Sequence, residues 1–231
     1  MVPMHRELPP LLWLYFPPLA VLVVLAADLF AWPEVCHVMM LKDGKGGGVL
    51  EWGTPLVLLP GIVAAILAWG PLGRHPRALP IRTWLTLWIL ACIYFAGEEI
   101  NWGQWLFRWE TPEVFLALND QGETNLHNMS NFLDQTPRAF VEAFIFVCAL
   151  VLPIWRCASG RELDEAGIWT WLLPTSVCVP AALIWTIAQL TDWLVPGHHC
   201  RISNSELREF YIALVLGLYL LAIWRRARRL R

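Results

Sequence analysis

The stretch Gly97–Phe107, GEEINWGQWLF, places two adjacent carboxylates, Glu98 and Glu99, next to Asn101, Trp102, Gln104 and Trp105. A positioned carboxylate can take a proton from a reacting group or ligate a cation. Glu98 and Glu99 are therefore candidate general bases or ligands, with Gln104 as a polar group of the same site. Twenty residues on, Asn119–Asn128 reads NDQGETNLHN. His127 is the candidate acid or ligand there, and Glu123, Asn125 and Asn128 are candidate binding groups. A divalent metal, if held, would find nitrogen and oxygen donors in Glu98, His127, His198 and Asp192, a zinc-like set. His198 and His199 are adjacent, so both can reach one ion only if their loop folds sharply. There is no H-E-x-x-H or H-x-x-x-H spacing. Each candidate has a plain alternative: a helix end meeting water for the Glu pair, a surface histidine for His127, a polar loop for His198.

The elements that must carry these residues are apolar. The chain has 231 residues, 57% of them hydrophobic, 15 tryptophans and a mean hydropathy of +0.50. An ordinary soluble domain is about 45–50% apolar, and here the excess falls in long runs. A span needs about 20 mostly apolar residues. Six runs qualify: Leu11–Trp32, Thr54–Trp69, Trp84–Phe107, Ala139–Trp155, Ile168–Trp193 and Leu207–Trp224. Tryptophan closes nearly every run, as interfacial anchors do. The first run is too long for a signal-peptide core and reads as a retained helix. The expected fold is therefore all-α: a polytopic membrane bundle of about six transmembrane helices, forming one integral-membrane domain over 1–231.

Six spans put both termini on one side. That side holds eleven of the 17 Lys and Arg residues, including the tail Arg225–Arg231, against six on the other. Positive residues stay inside, so both termini are expected in the cytoplasm, with the arginine tail also binding anionic lipid. Fifteen of the 19 acids fall on the outer side or at the outer ends of spans. Asp28, Glu98, Glu99, Glu142, Asp192 and Glu209 share one depth, which predicts an outward-facing polar chamber, because carboxylates at membrane depth face a bundle interior or a wet cavity. A helix dipole accounts for an acid in a first turn, such as Glu142 or Glu209. It does not account for Asp28 or Asp192 at outgoing ends.

The outer connection 108–137 is long enough to carry structure of its own. Thr111-Pro112-Glu113 is a helix start. Leu126, Met129 and Phe132 recur at helical spacing, predicting a short interfacial helix, and Thr136-Pro137 is expected to restart a helix into the fourth span. Cys36 and Cys200 both fall outside, where a disulfide is possible. No P-loop, dinucleotide fingerprint or nucleophile elbow occurs, and nothing points to nucleic acid.

The joint pattern G-E-E-x-x-W-G-Q at 97–104 and N-x-Q-x-E-x-N-L-H-N at 119–128 resembles a family of bacterial integral-membrane proteins of uncharacterised activity. The resemblance covers about 30 residues and implies a bacterial inner-membrane location and a site, without a reaction. In that family an Arg commonly follows the Gln; Trp105 stands there in this chain, so an anion-binding role for that position is not carried over.

These residues lead us to expect a multi-pass protein with an outward carboxylate and histidine site, acting as a metal-assisted hydrolase or transferase on a lipid-linked substrate. The alternatives are a small cation- or proton-coupled transporter and a non-catalytic assembly or sensor subunit.

Overall fold

The computed structural model describes residues 8–29, 48–118, 124–126, 129, 131–161, 167–194 and 204–230. These residues form an all-α bundle. A π-helical turn at Leu11–Tyr15 leads into α1 (Phe16–Leu29). There follow α2 (Val49–Trp69), α3 (Ala78–Glu99), the short α4 (Gln104–Phe107) and α5 (Glu113–Leu118). Next come α6 (Asn131–Phe144), which runs through a π-helical stretch at Ile145–Val151 into α7 (Leu152–Ser159), then α8 (Trp169–Leu172), α9 (Val179–Leu194) and α10 (Asn204–Ala227).

Five segments are long and apolar enough to cross a membrane: Val49–Arg74, Ala78–Glu99, Gln135–Ser159, Trp169–Thr191 and Ser205–Leu230, with Leu11–Ala26 as a shorter apolar helix. Among the described residues the expected first span is thus a shorter helix than the other five. Two further expectations are corrected. The third span ends at Glu99 rather than Phe107, because the backbone breaks there. No helix restarts at Thr136, because α6 runs through Pro137. The predicted start at Thr111-Pro112 does open a helix, α5.

The centre of the bundle is α10, buried at every position from Phe210 to Leu220. It lies against α2 at a glycine crossing. A Cβ on Gly61 would come within 2.8 Å of the Gly217 Cα, and one on Gly217 within 2.6 Å of the Val57 carbonyl oxygen. Small residues let two backbones approach this closely where lipid supplies no hydrophobic drive between helices. Gly53 meets Phe210 and Gly61 meets Gly217, so numbers rise together along the pair and the two helices run parallel. Their N-termini therefore share one end of the bundle.

The two tyrosines of α10 find partners. Tyr211 donates to the Pro17 carbonyl at 2.6 Å. Tyr219 donates to the Leu172 carbonyl at 2.8 Å and accepts from the Trp84 indole at 2.7 Å. Leu172 is where α8 ends, before Pro174. The hydroxyl therefore satisfies a carbonyl that this break leaves without a helical donor. Arg156 meets the Pro174 carbonyl at 3.3 Å in the same way.

Candidate functional site

α3 ends in an unusual turn. After Ile100, three successive residues take left-handed backbone: Asn101 (φ 48°), Trp102 (φ 55°) and Gly103 (φ 94°). Asparagine and glycine accept this conformation. For tryptophan it costs about 1–2 kcal/mol and persists only where its surroundings hold it. They do so here. The Trp102 indole donates to Glu98 Oε1 at 2.6 Å, and its ring lies over Gly97, where a Cβ would sit 2.9 Å from the ring carbons.

Three side chains of this turn hold the returning strand of the loop. Glu98 Oε2 accepts from the Leu126 backbone N–H at 2.7 Å. Asn101 Oδ1 accepts from Asn125 Nδ2 at 2.7 Å. Gln104 Oε1 accepts from the Thr124 backbone N–H at 2.7 Å. Residues 98, 101 and 104 thus engage 126, 125 and 124 in order, an antiparallel register. Gln104 Nε2 also donates to Thr111 Oγ1 at 2.7 Å, and the Trp109 indole reaches Thr124 Oγ1 at 3.3 Å. The result is a clamp that fastens residues 124–126 over the end of α3. Glu98, Asn101 and Asn125 are buried in it.

Glu99 points elsewhere. A carboxylate oxygen of Glu99, one of Glu206 and one of Glu209 lie within 4.8 Å of one another. The charges of Glu209, Glu206, Glu51 and Arg138 all act on Glu99. Arg138 joins the group to α6. It donates to Glu209 Oε1 at 3.0 Å and to Glu142 Oε1 at 3.2 Å. Ser205 Oγ also meets Glu209 Oε1, at 3.2 Å. Glu51, in the first turn of α2, receives the Gly48 N–H at 2.9 Å.

The N-terminal turns of α2 and α10, the C-terminus of α3 and the second half of α6 thus bring five carboxylates and one guanidinium together. Helix dipoles favour Glu51 and Glu206, in the first turns of α2 and α10, and disfavour Glu99, which closes α3. A ring of carboxylates at membrane depth is costly unless cations compensate it, and Arg138 supplies one charge. Three carboxylate oxygens at this separation match the shell of a hard divalent cation. Its ligands sit at about 2.0–2.6 Å, so oxygens across it are about 4–5 Å apart.

The sequence-derived candidates divide accordingly. Glu99, Glu142 and Glu209 come together in the carboxylate group. Glu98, Asn101, Trp102, Gln104 and Asn125 come together in the clamp. Glu98, Asn101 and Trp102 are brought together by the turn and not by helix periodicity, since α3 ends at Glu99. His127, Asn128, Glu123 and His198 lie outside the described residues, as do Cys36, Cys200 and the side chains of Asp28 and Asp192. Sequence reading left out Glu206 and Arg138 as site members. Glu206 had a signal: it precedes Glu209 by three, so the two share a helix face. Arg138 was counted for topology alone.

No protein-family model matches this chain, and neither the curated proteins nor the solved structures contain a match to it. The resemblance at 97–128 therefore rests on those residues alone.

Proposed function

We propose that this chain is a multi-pass membrane protein that binds a hard divalent cation through Glu99, Glu206 and Glu209 and uses it in hydrolysis or group transfer on a lipid-linked substrate. The supporting observation is the convergence of three carboxylate oxygens from two spans within 4.8 Å. Their all-oxygen donor set suits magnesium, manganese or calcium better than zinc. Three protein ligands leave coordination positions for water and for a substrate oxygen, and a cation so held polarises that oxygen. Arg138, bound to Glu209 and Glu142, adds a second positive group beside the site, suited to a phosphate on the substrate. In this reading the clamp is the wall that holds the outer loop beside the cation, and the arginine-rich end faces the cytoplasm of a bacterial inner membrane, with both termini there.

A cation- or proton-coupled carrier is favoured less. Between Phe210 and Leu220 the central helix carries Tyr211 and Tyr219 as its polar side chains, and both are hydrogen-bonded. That stretch offers no relay of carboxylates toward the arginine end.

Manganese titration of the detergent-purified protein, read by electron paramagnetic resonance, tests the proposal. One ion per chain is expected, displaced by magnesium, with binding weakened in Glu99→Gln and in Glu206→Gln. Absence of binding, or binding that survives both substitutions, rejects it.

A further inference from the structure

The opposite end of the bundle has its own chemistry, independent of the proposed cation site. Among the described residues it holds nine arginines, from Arg74 to Arg229, while Glu162, Asp164 and Glu165, which follow Arg161 in the sequence, lie outside them. Four of these guanidiniums lie over tryptophan rings contributed by different helices. Arg82 sits 4.1 Å from the Trp69 ring centre, Arg161 5.3 Å from Trp155, Arg228 5.0 Å from Trp224, and Arg226 5.8 Å from Trp171. Cation–π contact accounts for each pair singly. It does not account for their recurrence at one level, at the ends of four membrane-length segments.

The surroundings add a second observation. Trp69, Trp155 and the neighbouring Ile154 and Leu79 are exposed large apolar side chains. The Trp69 and Trp155 pairs thus offer an exposed apolar ring with a cation on top of it, and in the Arg228 pair the cation is exposed above a half-buried Trp224. That is the order of groups in a phospholipid, chain first and phosphate above.

We propose that this end is a built rim for anionic phospholipid, in which Arg161 over Trp155 and Arg228 over Trp224 take headgroup phosphates while the indoles pack on the glycerol and upper acyl chain. The headgroup level is where tryptophan partitions, and a basic residue near an anionic leaflet gains about fivefold in affinity. Arg82 is the fixed member. It donates to the Trp69 and Gly70 carbonyls at 2.8 and 3.1 Å and so caps α2 as well.

The test is lipid selection in nanodiscs. The protein is assembled from equal mixtures of phosphatidylglycerol and phosphatidylcholine, and the lipid retained after delipidation is measured by mass spectrometry. Wild type is expected to retain phosphatidylglycerol in several-fold excess, and high salt is expected to reduce that excess. Arg161 and Arg228 are exposed and outside the core, so Arg161→Gln/Arg228→Gln keeps the fold, verified by unchanged thermal unfolding in neutral detergent. The double substitution is expected to bring the retained lipid close to equal amounts, since loss of one basic contact alone is worth about fivefold. Equal retention of the two lipids by wild type, or an excess unchanged in the double variant, overturns the proposal. Loss of the excess on adding inorganic phosphate at equal ionic strength would also overturn it, by assigning the rim to a free anion.

Discussion

Replacing Glu98 by glutamine isolates the clamp from the carboxylate group. Glu98 accepts two N–H groups, one on each oxygen: the Trp102 indole at 2.6 Å and the Leu126 amide at 2.7 Å. Glutamine has the same length but a single acceptor oxygen, so one partner meets an amide N–H instead of an acceptor. A hydrogen bond to a charged group contributes about 1.5–3 kcal/mol. The variant therefore loses one such bond, weakens the other, and leaves the left-handed Trp102 with less to hold it. The expected cost to loop closure is about 2–4 kcal/mol. Hydrogen exchange at the Leu126 amide reads this directly: protection should fall about 30- to 1000-fold, at about 1.4 kcal/mol per factor of ten. Glu99→Gln, one residue away, should leave that protection unchanged, because Glu99 belongs to the other group. Unchanged exchange in Glu98→Gln, or equal loss in both variants, would refute the division of labour between the two acids.

Three other outcomes follow from the same geometry. Gly217→Ala should destabilise the bundle by about 1–3 kcal/mol, since its Cβ would lie 2.6 Å from the Val57 carbonyl oxygen; thermal unfolding in detergent measures this, and an unchanged midpoint would mean α2 and α10 are not packed as described. Arg138→Gln should loosen the contact between α6 and α10, leave Glu209 and Glu142 without their shared partner, and tighten divalent-cation binding by removing a competing positive charge, which manganese titration reads. His75 is buried in the turn between Val49–Arg74 and Ala78–Glu99, where burial and then the Arg77 charge push its imidazole below the usual 6.5. The unfolded chain therefore takes up this proton first as pH falls, so stability is full above about 6.5 and declines below it; a pH series of unfolding midpoints should show that decline in wild type and less of it in His75→Gln.

The depth of the acidic residues was legible from the sequence because depth follows from hydropathy alone. Counting along each apolar run places Glu99, Glu142 and Glu209 at one end whatever the helices do next. Which of them meet depends on rotation about each helix axis, and that is set by packing. The α2–α10 crossing at Gly61 and Gly217 fixes the rotation of α10 and thus turns Glu206 and Glu209 toward Glu99. Neither glycine announces its partner, since their numbers differ by more than 150 residues. The turn at Asn101–Gly103 was hidden for another reason. Read locally, INWGQWLF continues an apolar helical pattern, and tryptophan gives no warning of a left-handed backbone. Glu98 and Leu126, 28 residues apart, supply what the local sequence lacks, because the strain at Trp102 is tolerated only once the returning loop is in place. The Glu pair therefore does two jobs at a helix end. Successive helical residues point about 100° apart, so one acid faces the loop that closes the turn and the next faces the helices that gather the carboxylates. A single acid at either position would serve one of these partners and leave the other without a counterpart.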